Sequence, residues 1–185
     1  MDVVGDAMQA VPRAAFLPGN ARSRASFDGP IQIGHGQTSS QPRTVEAMLR
    51  LLDVRRGQHV LDVGAGSGWT TALLAELTGP SGSVLGVELV PELAEWGGAN
   101  LATTSYDWAS IREAVPDVLG IPEEAPYDRI LVSAEASSMP QPLVDQLGEV
   151  GRLVVPVRGT MLLVVRRGGE TEVTEHGSYR FVPLL

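Results

Sequence analysis

The sequence contains no cysteine, so it forms neither a disulfide bridge nor a thiolate metal site. Basic residues are also scarce: 14 Lys and Arg stand against 22 Asp and Glu, which gives a formal net charge of -8 at pH 7. Such a chain has no excess of cations to neutralise phosphates, so we do not expect nucleic acid as a partner. No apolar run approaches the ~18 residues of a membrane span, and no membrane association is expected.

The three histidines, His35, His59 and His176, are scattered rather than spaced as metal ligands, so we expect no metal. Residues 1–10 lack both the basic start and the apolar stretch of a signal peptide. A soluble, cytoplasmic protein is therefore the expectation, and we expect a monomer. A length of 185 residues fits one domain.

Strand-like and helix-like segments alternate along the chain, which is typical of an α/β fold. Residues 1–41 are predicted to form a lid or wrap-around segment, mostly irregular after a short apolar-periodic stretch, and residues 42–185 a Rossmann-like core. Helices are predicted from Pro42 to near Gly57, from Trp69 to Leu77 and from Pro91 to Leu101. Strands are predicted at His59–Val63, Ser83–Val87, Trp108–Arg112, Arg129–Ser133, Leu153–Val157 and Met161–Arg166, with a last one between Thr171 and Val182 after a Gly168-Gly169 hairpin turn. The sheet should be mostly parallel and end in an antiparallel strand pair.

A glycine-rich turn, Gly64-Ala65-Gly66-Ser67-Gly68, directly follows the predicted strand at 59–63 and precedes a helix. Alternate glycines leave the backbone without Cβ atoms, so a ligand can approach closely. The N-terminus of the helix offers free N–H groups to a carboxylate or phosphate. A turn of this kind is often only a tight connection, so a binding role needs further support.

Two carboxylates near the turn provide that support. Asp62 stands just before the turn, where it could hold an ammonium group. Glu88 ends the next predicted strand, where a carboxylate can accept hydrogen bonds from both hydroxyls of a ribose. Together they predict a ligand with an amino acid at one end and a nucleoside at the other.

The same turn disfavours other nucleotides. A dinucleotide fingerprint needs a third small residue where this chain has the bulky Trp69, and a phosphate loop would need a lysine there. S-adenosylmethionine is therefore the predicted cofactor.

Several segments resemble the protein-L-isoaspartate O-methyltransferase family. The stretch Gly34-His35-Gly36-Gln37-Thr38-Ser39-Ser40-Gln41-Pro42 is similar to the signature that precedes the first core helix of that family. Similar too are Val11-Pro12-Arg13, Phe16, Pro18, Ala125-Pro126-Tyr127-Asp128-Arg129-Ile130 and Phe181-Val182-Pro183-Leu184. The resemblance runs in order from about Met8 to Leu184.

The resemblance implies methyl transfer from S-adenosylmethionine to the α-carboxylate of an L-isoaspartyl residue in a damaged protein or peptide. Three alternatives stay open: a peptide-tailoring relative that acts on aspartate, a small-molecule methyltransferase of the same fold, and a non-catalytic S-adenosylmethionine-binding scaffold.

The resemblance also implies roles for individual residues. Ser40 would orient the acceptor carboxylate and act as the catalytic residue, and Thr38 and Ser39 would line the same methyl-donor pocket. As an additional role, Ser39 and Ser40 are predicted to cap the helix that begins at Pro42.

This chain departs from the family pattern at residues 116–118, at Glu135 and in its amino-terminal helix, which is shorter than usual. The family usually has Gly-Asp-Gly after the third strand, where the Asp meets the adenine amino group, whereas this chain has Pro116-Asp117-Val118. Asp117 and Val118 are the predicted adenine-side residues. Glu135 stands where the family usually has a small residue facing the site. Because charged residues are seldom buried unpaired, we expect the Glu135 carboxylate to point to solvent rather than at an anionic acceptor.

Overall fold

The computed structural model describes residues 2–184, so Met1 and Leu185 of the predicted domain lie outside the described residues. The helices are α1 (Val3–Ala10), α2 (Pro42–Leu52), α3 (Trp69–Thr78), α4 (Pro91–Leu101) and α5 (Gln141–Asp145). The strands are β1 (Ile31–Gly34), β2 (Gln37–Ser39), β3 (His59–Val63), β4 (Ser83–Glu88), β5 (Ala109–Glu113), β6 (Tyr127–Val132), β7 (Leu147–Val157), β8 (Thr160–Arg167) and β9 (Glu170–Ser178). Short 3-10 helices lie at Arg13–Phe16, Gly19–Arg24 and Pro122–Glu124.

The main sheet has seven strands in the order β5-β4-β3-β6-β7-β8-β9. The five strands from β5 to β7 are parallel, and β8 and β9 join them antiparallel. This arrangement confirms the predicted α/β fold with a mostly parallel sheet and an antiparallel end. The chain order reverses at β3, which has β4 on one side and β6 on the other, and ligands of open α/β sheets bind at such a switch point.

Helix α2 shows how the sequence sets a local element. Pro42 occupies its first turn, and its apolar residues recur on one face that is buried: Val45, Met48, Leu49 and Leu52. The predicted end near Gly57 is wrong, because Asp53 takes a left-handed conformation with φ of 51° and ends the helix.

The predicted capping of α2 by Ser39 and Ser40 is also wrong. Gln41 is the N-cap residue and makes no side-chain capping bond. The carboxylate of Asp28 instead accepts a hydrogen bond from the backbone N–H of Arg43 at 3.2 Å. The N-terminus of α2 is therefore capped by the side chain of Asp28, from an earlier loop, rather than by the residues just before the helix.

The N-terminal segment is more ordered than predicted. Residues 31–39 form a two-stranded antiparallel hairpin that pairs with no strand of the main sheet within residues 2–184. Helix α1 packs on α3 and α2, and its Val4 and Ala7 share a hydrophobic core with both. Helix α1 therefore belongs to the same core as α2 and α3, whereas Ile31 and Ile33 of the hairpin pack in a separate hydrophobic cluster.

The C-terminal strands differ from the prediction in length. Strand β7 begins at Leu147, six residues before the predicted start at Leu153. Gly148 and Gly151 weaken the sequence signal, but β8 pairs with this part of the strand, for example Gly151 with Arg166. The predicted Gly168-Gly169 turn is confirmed, since both residues have positive φ, 56° and 88°.

Candidate active site

A cavity of about 500 Å³ opens at the carboxyl edge of the parallel strands. Its wall comes from β2 and Ser40, the glycine turn after β3, the end of β4, the loops after β5 and β6, and residues 182–184. A volume of this size accommodates a nucleoside-sized ligand. Nine of the eleven predicted cofactor-binding residues line it: Thr38, Ser39, Ser40, Gly64, Ala65, Gly66, Glu88, Asp117 and Val118. The other two, Asp62 and Gly68, do not reach the wall, and Gly68 is the N-cap of α3.

The glycine turn adopts a conformation that glycine alone takes easily. Gly64, Gly66 and Gly68 have φ of 82°, 53° and 89°. Gly68 precedes α3 as its N-cap, and no side chain caps that helix within the described residues. A Cβ on Gly66 would lie 3.3 Å from Ile33 Cδ1, so the gap between the turn and the hairpin is narrow.

The position of Gly97 explains why α4 contains a glycine, a residue that weakens helices. Its ideal Cβ would lie 2.5 Å from the carbonyl oxygen of Gly66, because α4 presses directly on the glycine turn. Gly98 has open space around the same position. A helix-weakening glycine is therefore required at 97 but not at 98.

Glu88 is buried at the end of β4, with its carboxylate at the cavity wall. Its Oε2 accepts a hydrogen bond from Gly66 N–H at 2.8 Å, and Oε1 accepts one from Val90 N–H at 3.0 Å. A carboxylate has about four acceptor sites, so about two remain for other donors. The side chain thus shapes the glycine turn and keeps acceptor capacity for a pair of hydroxyls.

Asp62 does not itself line the cavity. It is fully buried, and its Oδ2 accepts hydrogen bonds from the hydroxyls of Thr70 and Thr71 at 2.8 and 2.7 Å. Thr70 does line the cavity, so Asp62 lies one hydrogen bond from the wall. Its Oδ1 has no partner within residues 2–184. The predicted contact with an ammonium group stays a prediction, and the unused oxygen is the observation that favours it.

Burial raises the pKa of the Asp62 carboxyl to about 6. Hydrogen bonds from Thr71 and Thr70 oppose this rise, and the charge of Glu88 adds to it. Desolvation of the ionised form is therefore stronger than the stabilisation by the two hydroxyls.

The hairpin and the residue after it form one side of the cavity. Ser39 is buried, whereas Thr38 and Ser40 are half-buried, and all three reach the wall. Arg13, which sequence reasoning used only as part of a resemblance, donates hydrogen bonds to both the hydroxyl and the carbonyl of Ser39. No local pattern shows such a contact, because 26 residues separate the two partners.

The loop after β5 forms the opposite side. Asp117 and Val118 line the cavity from exposed positions, and Asp117 is left-handed with φ of 65°. The buried Gln146 holds the end of this loop: its amide donates to Leu119 O and accepts from Ile121 N–H, at 2.8 and 3.1 Å. The departure from the family pattern at residues 116–118 is thus accommodated in a loop that a buried glutamine organises.

Glu135 is half-buried and is not part of the cavity wall, although its neighbours Ala134 and Ala136 are. Its backbone exchanges hydrogen bonds with the C-terminal segment, as donor to Val182 O at 2.7 Å and as acceptor from Leu184 N–H at 2.8 Å. Residues 182–184 are thereby drawn over the cavity. Sequence reasoning did not predict them as site residues.

Comparison with known proteins agrees with this geometry. The family profile described as protein-L-isoaspartate(D-aspartate) O-methyltransferase (PCMT) matches residues 1–185. The chain belongs to this family. The protein-L-isoaspartate O-methyltransferase of Methanopyrus kandleri is 45% identical over 188 residues, which cover 98% of this chain and 83% of that protein. The enzyme of the same name from Methanocella arvoryzae is 44% identical over 182 residues, which cover 96% of each chain.

A solved structure from Plasmodium falciparum, described as a PCMT in complex with S-adenosyl-L-homocysteine, has a TM-score of 0.88 and 27% identity. The match covers 100% of this chain and 91% of that one. Within residues 2–184 the PCMT fold of this chain has no helix long and apolar enough to cross a membrane. The described residues also contain no group of three His, Asp or Glu side chains placed to hold a metal ion.

Proposed function

We propose that this chain transfers a methyl group from S-adenosylmethionine to the α-carboxylate of L-isoaspartyl residues in proteins or peptides. The observation that carries the proposal is the match of the family profile to all 185 residues, together with relatives of that name at 44 to 45% identity. The cavity at the switch point of the sheet supplies a site of suitable size and lining.

The residues of the cavity fit the cofactor. Glu88 has acceptor capacity left for the two ribose hydroxyls, and we assign Asp117 and Val118, which line the cavity, to the adenine ring. We assign the ammonium group of the cofactor to Asp62, whose Oδ1 has no partner within residues 2–184 and whose Oδ2 is bonded to Thr70 in the cavity wall. When bound, S-adenosylmethionine supplies an electrophilic methyl group on a sulfonium.

The reaction requires little chemistry from the side chains. A carboxylate with an ordinary pKa of ~4 is already ionised at neutral pH, so no general base has to remove a proton. Catalysis then depends on holding the acceptor oxygen in line with the methyl group. We assign this positioning to the hydroxyl of Ser40, with Thr38 and Ser39 beside it.

Methylation prepares the acceptor for a chemical repair. The methoxy group of a methyl ester leaves far more readily than an oxygen of an ionised carboxylate. The neighbouring backbone amide nitrogen therefore attacks the ester carbonyl carbon and forms a succinimide, while the methoxy group and the amide proton leave as methanol. Hydrolysis of the succinimide returns part of the chain to normal aspartate. This second stage requires no side chain of the enzyme.

One experiment separates this proposal from its alternatives. The protein is incubated with methyl-labelled S-adenosylmethionine and either an isoaspartyl peptide or its aspartyl twin. We expect label only in the isoaspartyl peptide, as a base-labile ester. Labelling of the aspartyl twin would indicate a tailoring enzyme. Cofactor binding without transfer to either peptide would indicate a small-molecule methyltransferase or a scaffold.

The proposal extends to the setting of the reaction. We infer a cytoplasmic monomer whose substrate is a protein or peptide rather than nucleic acid, in line with the net charge of -8. Light scattering coupled to gel filtration checks the monomer. A single species near 19.6 kDa is the expected result.

A further inference from the structure

Arg13 is a charged side chain placed inside the protein, only 5% exposed. Its guanidinium donates four hydrogen bonds, to Ser39 Oγ at 3.0 Å, Ser39 O at 2.9 Å, Phe27 O at 3.0 Å and Gly29 O at 3.0 Å. These acceptors belong to two segments, the loop at 27–29 and the end of β2. The planar fork of an arginine can hold two such segments at once, because its donors point in different fixed directions.

All four acceptors are neutral oxygens. Within residues 2–184, Arg13 has no carboxylate at ion-pair distance, and the nearby Asp28 is paired with Arg43 at 3.1 Å. Burial of a charge without an ion-pair partner costs free energy, so a guanidinium joins these segments at an energetic cost. An ion pair therefore does not explain its position, whereas the geometry of its contacts does.

The hairpin that Arg13 holds is fixed on its β1 side by the buried Ile31 and Ile33, which pack with Leu17, Ala21 and Leu93. At the β2 end, the contacts of Arg13 with Ser39 provide the corresponding anchor. Strands β1 and β2 contain four and three residues, and their hairpin pairs with no strand of the main sheet in the described chain. An isolated two-stranded hairpin is marginally stable, so side-chain contacts must set its position. Ser39 is the last residue of β2, and the next residue is Ser40 in the cavity wall.

Arg13 also contacts an aromatic side chain of the cavity wall. The guanidinium carbon lies 5.5 Å from the ring centroid of Trp69, within range of a cation–π contact. Trp69 lines the cavity at the start of α3, and its Nε1–H donates to Val11 O at 3.0 Å. Arg13 thus joins the hairpin, the loop at 27–29 and the helix that follows the glycine turn.

We propose that Arg13 is a positioning residue for methyl transfer: its fork fixes the end of β2 against Trp69 and thereby places Ser40 opposite the methyl donor. This inference rests on the proposed function. Arg13 touches neither substrate nor cofactor in it. Its effect should therefore appear in turnover rather than in cofactor affinity.

The test is Arg13→Lys, which keeps the positive charge and removes the fork, since one ammonium nitrogen cannot reach both segments. We expect kcat on the isoaspartyl peptide to fall by roughly 10- to 100-fold, the scale of a displacement of about 1 Å in an aligned site. The KM for S-adenosylmethionine should change by less than about 3-fold, because Arg13 does not contact the cofactor. Normal kcat in a folded Arg13→Lys variant would overturn the inference.

Arg22→Lys is the matched control. Arg22 belongs to the same N-terminal segment, but the one hydrogen bond that its side chain makes within residues 2–184, to Leu17 O at 3.3 Å, does not involve the hairpin or the cavity. We expect its kinetics to equal those of the wild type. Equal losses of kcat in both variants would show only general weakening of the segment and would overturn the inference.

Ser39→Ala keeps the test decisive if Arg13→Lys folds poorly. This variant removes the Nε contact and leaves the bond to Ser39 O, so it should lower kcat with little change in the unfolding midpoint. In the Arg13→Lys background the same change should have no further effect, because the Nε contact that Ser39→Ala removes is already absent there. Additive losses would contradict the inference. An inactive wild type would instead refute the proposed function itself.

Discussion

Glu88 has a structural and a binding role at once, because its carboxylate holds the glycine turn while facing the cavity. Replacement by Gln keeps the shape but puts an NH2 where one oxygen accepted. We expect Glu88→Gln to weaken S-adenosylmethionine binding by about 1.5 to 3 kcal/mol, the size of hydrogen bonds to a charged group. Isothermal calorimetry measures the change. The exposed Glu92→Gln serves as the control, and unchanged affinity for Glu88→Gln would exclude the ribose assignment.

A substitution at Ser40 tests the catalytic role of this residue without also removing a helix cap. The reason is that Gln41, rather than Ser40, occupies the N-cap of α2. Ser40→Ala should therefore leave the free energy of unfolding nearly unchanged. Its turnover should fall by about 10- to 1000-fold, as expected for one lost contact in a preorganised site. Steady-state kinetics and a denaturation curve are measured together. Normal turnover would show that Ser40 only lines the cavity.

Asp62 predicts a pH dependence of stability. Burial raises the pKa of its carboxyl from 3.8 to about 6, so between pH 4 and 6 the folded protein keeps a proton that the unfolded chain releases. The contribution of Asp62 to stability is therefore fully present below about pH 4 and is lost as the pH rises through 6.

The variant Asp62→Asn should remove this dependence. Two pKa units correspond to about 3 kcal/mol, so the stability of the wild type relative to the variant should fall by about that amount from pH 4 to 7. Urea denaturation at several pH values measures it, with the exposed Asp6→Asn as the control. A difference that stays constant with pH would contradict the prediction.

At the level of elements, α4 packs directly against the glycine turn, with Gly97 facing the carbonyl of Gly66. Alanine is favoured over glycine in a helix by about 1 kcal/mol, so propensity alone predicts that Gly97→Ala and Gly98→Ala both stabilise the protein. The structure predicts opposite effects, because only the Cβ at 97 would meet the carbonyl of Gly66.

We therefore expect Gly98→Ala to raise stability by up to about 1 kcal/mol and to leave cofactor affinity unchanged. Gly97→Ala should lower both stability and affinity, because the glycine turn has to move away from α4. Thermal unfolding with and without S-adenosylhomocysteine distinguishes the pair. Similar behaviour of the two variants would show that the contact is easily relieved.

At the level of the whole molecule, the cavity joins segments that are distant in sequence, from the hairpin at 31–39 to the C-terminal residues 182–184. A ligand in this cavity should stabilise the entire fold. At 100 times its Kd, S-adenosylhomocysteine should add about 2.7 kcal/mol to the free energy of unfolding. NAD at the same concentration should add nothing, and a chelator should leave the midpoint unchanged. Stabilisation by NAD instead would contradict the proposed cofactor.

Most helices and strands of the main sheet, and the central residues of the cavity, were predictable from local sequence patterns. The turn after β3 was predictable because glycine takes its positive φ angles easily. The end of β4 was predictable because Glu88 follows the last apolar residue of that strand. Helix α2 was predictable from Pro42 and its apolar spacing. The resemblance at residues 34–42 added Thr38, Ser39 and Ser40, which all reach the cavity wall.

Other contacts of the site depend on long-range packing and could not be predicted. The cap of α2 comes from Asp28, the anchor of β2 from Arg13, and the loop after β5 is held by Gln146. Each of these contacts joins residues 15 or more positions apart, so no local periodicity or motif spacing encodes it. A hydrogen bond of a buried side chain depends on which segments the core brings together, and that is fixed only when the whole chain has packed.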